Sequence, residues 1–337
     1  AKVFTETKAL SHSNIVNSIQ FSPDFRIVAS CSNDQTVRVW NIGSGRELMV
    51  LKGHSHNVVG AQFSLNGRSL ASFSDDETVR VWDIVSGQQI RKFVGHSDSV
   101  RGAQFSANGE NVLSWSFDGT LRIWSVVTGR EVHKLRGHLH WVTGAQYSPD
   151  YGTIVSCSSD KTIRLWDVTS GRELKKLVGH SECIMAVQFS PNGLMIVSCA
   201  RDRTIRTWDV KSGKEVRRLK GHLDGITGFQ FSSDATKILS YSYDRTIRVW
   251  ELATGTTIAK LEGHGHFVTR AQFSSDDNTI VSSSFDKTIR LWHVASEEEI
   301  QRLEGHTHVV REARFSANDR IIVSCSLDST VRIWTQF

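Results

Sequence analysis

The chain has 337 residues, 39% of them hydrophobic and 22% charged, which is enough apolar material for a large core. Its formal charge of +5 is too weak to argue for nucleic acid unless the basic residues are focused on one surface. Nothing in it reads as a signal peptide or as an apolar run long enough to span a membrane.

The first predicted element is a strand over Val3 to Leu10. After it one unit recurs, marked by Trp40, Trp82, Trp124, Trp166, Trp208, Trp250, Trp292 and Trp334, each 42 residues after the last. A fixed period of this length is the mark of a repeat architecture, in which each unit buries its apolar face against its neighbours. Residues 54–95 show the unit. Val58 to Phe63 ends at the turn Ser64-Leu65-Asn66-Gly67, and Ser69 to Ser74 ends at Asp75-Asp76-Glu77. Thr78-Val79-Arg80-Val81-Trp82 alternates with period two, Ser86-Gly87 turns, and Gln89 to Val94 makes a fourth strand. Four short strands per unit and no helical pattern predict an all-β chain of antiparallel meanders, the mark of a propeller. The last unit stops after its third strand, at Trp334 to Phe337.

The pattern Gly53-His54 … Trp82-Asp83, repeated along the whole chain, resembles the WD40 family. The resemblance implies one domain over residues 1–337, a single eight-bladed propeller of four antiparallel strands per blade. Residues 1–11 would supply the missing strand of the last blade, formed otherwise by 307–337, so that no long strand edge stays unpaired. It also implies a structural tetrad in each blade, as in His54, Ser72, Asp76 and Trp82, with indole N–H to serine, serine to histidine and histidine to aspartate. A Ser–His–Asp set repeated in every blade, with each serine committed to an indole, argues against catalysis, since a nucleophile must be exposed beside an oxyanion site. Thr36 and its equivalents sit where the turn aspartate accepts their N–H. Arg38 and its equivalents, uniform through Arg332, are expected to join blade to blade.

Function is expected where the columns diverge. Carried over from the family, three variable positions per blade mark the loop face. The entries taken as the candidate site are Phe117, Trp141, Arg201, Tyr243, Phe267, Phe285, Arg311 and Leu327, with Arg101 as a further arginine in the columns. Such groups clustered on a surface anchor a protein or peptide partner, and arginine is available for acidic groups. The bland alternative is that each ring folds down over the neighbouring strand. The Gln20-to-Gln272 column of the first strand reads as a ring of amides holding ordered water, broken by Arg314. Two residues earlier a column of small residues becomes Arg270 and Glu312, which also fits a simple ion pair.

Other signals are weaker. Four loops read His-x-His, but each first histidine belongs to the tetrad and no further ligand follows, so no metal and no cofactor is expected. Arg91-Lys92, His133-Lys134, Lys175-Lys176 and Arg217-Arg218 make a basic outer belt, either strand-edge protection or an anion or nucleic-acid surface. Cys31, Cys157, Cys199 and Cys325 share one repeat position and read as small buried residues; with Cys183 the count is odd. A reducing compartment, cytoplasm or nucleus, is expected. The expected protein is a monomeric, non-catalytic interaction scaffold. The alternatives are a recently amplified or engineered propeller without a dedicated ligand, and an anion or nucleic-acid binder using the belt.

Overall fold

The computed structural model describes residues 3–336. They form eight four-stranded antiparallel sheets, and no helix occurs among them. Compact packing divides the described residues into two units, one of residues 3–16, 199–206 and 217–336, the other of residues 17–198 and 207–216.

The second sheet, in the larger unit, shows how sequence sets structure. Its strands are Val58–Phe63, Ser69–Ser74, Thr78–Asp83 and Gln89–Val94, in spatial order of sequence. Leu70, Ala71, Val79, Val81 and Trp82 are buried, with Val58 and Phe63 from the first strand. Two of its three strand pairings carry a bulge. One falls at Val59 between Val58 and Gly60, the other between Gln89 and Arg91, opposite Trp82 and Val81. A bulge adds a residue, bends the strand and re-aims the side chain it carries. That is how one of the variable columns, Val59 and its equivalents, leaves the regular alternation.

In the smaller unit the N-terminal strand Phe4–Ser11 pairs with the last strand Thr330–Gln336, so the eighth sheet takes one strand from each end of the chain. Ala1, Lys2 and Phe337 lie outside the described residues. The seam departs from the 42-residue beat by one residue. Leu10 faces Val331 and Ser11 faces Thr330, as Leu51 faces Val37 and Lys52 faces Thr36. Ser11 is then followed directly by His12, whereas Lys52 and His54 are separated by Gly53. Phe4 is the first residue of the strand and is buried among Val281, Leu291, Leu303, Phe315 and Trp334, with its ring centroid 6.3 Å from that of Phe315. The strand is anchored by its own aromatic residue as well as by backbone pairing.

Inside the sheets the first two strands share space. Opposite Gly60, Gly102 and Gly228 stand the bulky Phe73, Trp115 and Tyr241, and opposite Arg270 and Glu312 stand the small Ser283 and Cys325. A Cβ on Gly102 would lie 1.9 Å from the Trp115 ring. Volume lost on one strand is refilled from the other, as close packing demands.

Candidate functional site

The tetrads come first because they hold the loops that carry the candidate residues. Trp82 Nε1 donates to Ser72 Oγ at 2.8 Å, so the serine hydrogen is free for His54 Nε2, also 2.8 Å away. His54 Nδ1–H then donates to Asp76 at 2.8 Å. Asp76 also accepts the Ser55 and Thr78 backbone N–H groups and the Thr78 hydroxyl, which ties the loop before the first strand to the turn before the third. Indole-to-serine bonds of 2.7–2.9 Å occur at all eight tryptophans of the 42-residue column. Burial holds His54 neutral by pulling its pKa down, against the opposing pull of Asp76. Burial would raise Asp76, but the hydrogen bonds it accepts from His54, Thr78 and Ser55 win and hold its carboxyl well below the usual range.

The uniform arginines correct an expectation. They act within a blade and not between blades. Arg38 reaches Glu47 on the adjoining strand at 2.7 Å, Arg290 reaches Glu299 at 2.5 Å, and Arg122 and Arg164 pair with Glu131 and Glu173. At the seam Glu6 takes the same role for Arg332. The guanidinium of Arg122 also lies 5.7 Å over the Trp124 ring. This explains the glycine of each Gly-His pair: a Cβ on Gly53 would meet Arg80 Nη1 at 2.6 Å and Trp82 at 3.1 Å. The glutamine column is corrected too. Gln104, Gln146, Gln230 and Gln272 accept the backbone N–H of Tyr147, Phe189, Phe273 and Phe315 in the following repeat, so these amides latch repeats together.

The variable columns divide in the same way. Thr143, Thr227 and Thr269 donate to the carbonyls of Ile184, Val268 and Val310 in the next repeat, which is a structural task. In the larger unit Phe117 stacks on Trp141, with centroids 4.5 Å apart and planes at 24°, and Arg101 lies 4.7 Å above the Phe117 ring. Trp141 is 45% exposed and Leu139 beside it 86%; together with Phe117, His138 and His140 they line a shallow recess. Arg101 Nη1 is 3.6 Å from Asp75.

In the smaller unit Tyr243, Phe267 and Phe285 meet edge to face, at 4.9 Å and 5.8 Å between centroids. His266 stacks on Phe285 at 5.4 Å and packs edge-on to Phe267 at 4.3 Å. Its Nδ1 accepts the Phe267 backbone N–H, and the Phe285 N–H donates to the Phe267 carbonyl at 3.0 Å. Arg201 lies 5.9 Å over the Tyr243 ring. Gly225 makes this approach possible, since a Cβ there would press on Arg201 Cα and Tyr243 Cδ2, both at 3.2 Å. Phe285 is 38% exposed, while Tyr243 and Phe267 are half-buried. Arg311 is exposed and Leu327 half-buried, and neither makes a ring or ion contact with this set among the described residues. His266, Leu139 and Gly225 were missed as site residues in the sequence. Only the His-x-His spacing pointed to His266, and it pointed to a metal, not to ring packing.

The basic belt is partly committed. Arg91 donates to the carbonyls of Val126 and Val127, His133 lies 2.9 Å from the Thr169 carbonyl, and Lys175 donates to those of Val210 and Lys211.

Repeated tetrads on four-stranded sheets define a WD-repeat propeller. The WD40 family model (WD domain, G-beta repeat) matches residues 4–41, 45–83, 87–125, 129–167, 171–209, 213–251, 255–293 and 297–335. The chain belongs to this family, and its fold is the all-β propeller of eight four-stranded blades, an architecture typically used as a protein-interaction scaffold. It is similar to the crystal structure of the computationally designed Ika8 protein, with 33% identity and a TM-score of 0.86 over 96% of this chain and 97% of that one. No curated protein sequence matches it.

Proposed function

We propose that this propeller is a non-catalytic scaffold that binds an acidic peptide segment through the aromatic cluster of Tyr243, Phe267 and Phe285 beside Arg201. The observation that carries the reading is the cluster itself. Three rings and His266 interlock around a partly exposed centre, and Arg201 has no carboxylate partner among the described residues. Rigid aromatic anchors next to an unneutralised guanidinium suit an apolar side chain flanked by Asp or Glu. Phe117 and Trp141 form a second candidate surface; Arg311 and Leu327 are peripheral candidates. Catalysis does not fit the tetrads, whose serines are buried and spend both hydrogen and lone pair on neighbours. Four of the five free cysteines are buried, in keeping with a monomer of a reducing compartment, cytoplasmic or nuclear.

The test is selection of displayed random peptides on the wild-type protein, followed by affinity measurement on Tyr243→Ala/Phe267→Ala/Phe285→Ala. Enriched peptides are expected to pair an acidic residue with an aromatic or aliphatic one, and to bind the variant about 30-fold more weakly or worse. Equal binding to both proteins defeats the reading.

A second reading has its own observation, the 33% identity to a designed propeller over nearly the whole chain. On that reading the chain is an engineered or recently amplified propeller with no dedicated ligand, and selection enriches nothing. Nucleic-acid or anion binding by the outer belt is weaker, because Arg91, His133 and Lys175 already spend donors on main-chain carbonyls.

A further inference from the structure

Three departures from the repeat pattern fall together on the first strands of the seventh and eighth blades. Where other repeats carry glycine, alanine or serine there stand Arg270 and Glu312, and where they carry glutamine there stands Arg314. Arg314 Nε and Nη2 each lie 3.2 Å from Glu312 Oε2, and Arg270 Nη1 lies 3.4 Å from Oε1. Glu312 is thus shared between two guanidinium groups on adjacent blades. Small partners across the strand, Ser283 and Cys325, make room for the long side chains.

The charges do not balance. Two arginines face one carboxylate, and the other titratable neighbours, Tyr241 and Cys325, carry no charge at neutral pH because burial pushes both upward. The donors do not balance either. Two guanidinium groups offer ten N–H bonds, whereas a carboxylate accepts about four. Among the described residues neither arginine has a second acidic or carbonyl acceptor. Arg314 cannot repeat the latch that Gln272 makes to Phe315, because guanidinium has no acceptor. Burial, and then repulsion from Arg270, lowers the Arg314 pKa, whereas at Arg270 burial is outweighed by attraction, chiefly from Glu312, and the pKa is raised. Side-chain exposures of 36% at Arg270, 22% at Arg314 and 15% at Glu312 leave the group reachable by a small ion but screened from bulk water.

We propose that Arg270 and Arg314, oriented by Glu312, form a binding site for a small oxyanion, phosphate or a small carboxylate. Glu312 holds one edge of each guanidinium, and their remaining N–H groups close on the anion with the bidentate geometry that arginine offers to both ligand types. The bound anion neutralises the surplus positive charge. This site does not depend on the aromatic cluster or on the function proposed for it.

The chain contains its own control. Arg270→Gly/Glu312→Gly/Arg314→Gln reproduces the Gly144, Cys157 and Gln146 arrangement of the fourth blade, because Cys325 is already present. Titration calorimetry with inorganic phosphate, with acetate, and with sodium chloride at matched ionic strength is expected to show saturable binding of an oxyanion by the wild type and none by the triple variant. Arg314→Gln alone is expected to weaken binding about tenfold or more. Phosphate without acetate, or the reverse, assigns the ligand type. Should the triple variant fail to fold, the arginine Nε–H resonances of the wild type decide. Saturating shifts of the Arg270 and Arg314 signals with phosphate or acetate support the site. No shift beyond that caused by chloride overturns it, as does equal affinity in the wild type and a folded triple variant.

Discussion

Two aromatic groups occupy equivalent repeat positions in different units, and they differ in how their arginine is used. In the larger unit Phe117 and Trp141 lie flat on each other beneath Arg101, and Arg101 answers to Asp75. In the smaller unit Tyr243, Phe267 and Phe285 meet at steep angles, and Arg201 covers Tyr243 without a carboxylate of its own. The first group is a neutral apolar surface, with Leu139 and Trp141 outermost. The second is an apolar surface with spare positive charge. The same backbone positions therefore offer two chemistries, and the difference is set by one acidic residue: Asp75 has serine and arginine as its equivalents at Ser159 and Arg201.

The comparison breaks most severely if these rings are framework and not surface. Trp250→Ala, in the sheet whose second strand leads to Tyr243, is expected to cost about 3–5 kcal/mol through the cavity it leaves and the stranded Ser240 hydroxyl. Tyr243→Ala, half-buried at the loop, is expected to cost about 1 kcal/mol. Urea unfolding of both variants separates the cases; equal losses would make Tyr243 part of the core. Next in size is the effect on binding. Substituting alanine for Tyr243, Phe267 and Phe285 is expected to remove about 2 kcal/mol or more of affinity for an acidic peptide, while Phe117→Ala/Trp141→Ala leaves that affinity within about threefold. If the second pair of substitutions is the more damaging, the ranking of the two surfaces is reversed.

Acid tests whether both groups rest on the same support. His54, His96, His138, His222 and His264 are held neutral by burial, so their folded pKa values lie below the unfolded value of about 6.5. The unfolded chain binds these protons first, and stability falls as pH drops below about 6.5, by up to ~1.4 kcal/mol per pH unit for each histidine. The paired aspartates, with depressed folded values, add a second loss below about pH 4. Urea midpoints from pH 7.5 to 5 read the first stage. A flat profile would mean that the histidines titrate alike in the folded and the unfolded chain, and a rise toward pH 5 that they are already protonated in the fold.

Much of this was legible because a repeat is its own alignment. The 42-residue spacing of Trp40 to Trp334 carries the blades, and period-two runs such as Thr78 to Trp82 carry the strands. What the spacing could not carry is which neighbour a side chain reaches. Arg38 and Gln104 both stand in repeated columns, yet one bonds within its blade and the other to the next repeat. The one-residue shift at the seam was hidden because the loss of a glycine before His12 leaves the tryptophan spacing untouched. The Gly60/Phe73 exchange of volume was present in the letters, but only strand register makes those positions partners. Among the candidate residues, aromatic character marked Phe117, Trp141, Tyr243, Phe267 and Phe285, and the geometry then sorted them into two groups. Arg311 and Leu327 shared the columns without sharing the contacts.

The smallest expected effect is also the most specific to the difference between the groups. Arg201→Gln removes the spare charge but keeps a side chain of similar reach over Tyr243. It is expected to weaken acidic-peptide binding by about 0.5–1 kcal/mol at low salt, as for an exposed charge pair. Screening shortens the range of exposed charges to about 8 Å at physiological ionic strength, so the gap between wild type and variant should shrink as sodium chloride is added. Arg101→Gln, whose guanidinium is already balanced by Asp75, is expected to leave both the affinity and its salt dependence unchanged. Affinities measured from 25 to 500 mM salt (roughly 20 to 4 Å of screening length) check this. If the two substitutions act alike, the acidic residue beside Arg101 does not distinguish the groups, and the choice of the Tyr243 cluster rests on ring geometry alone.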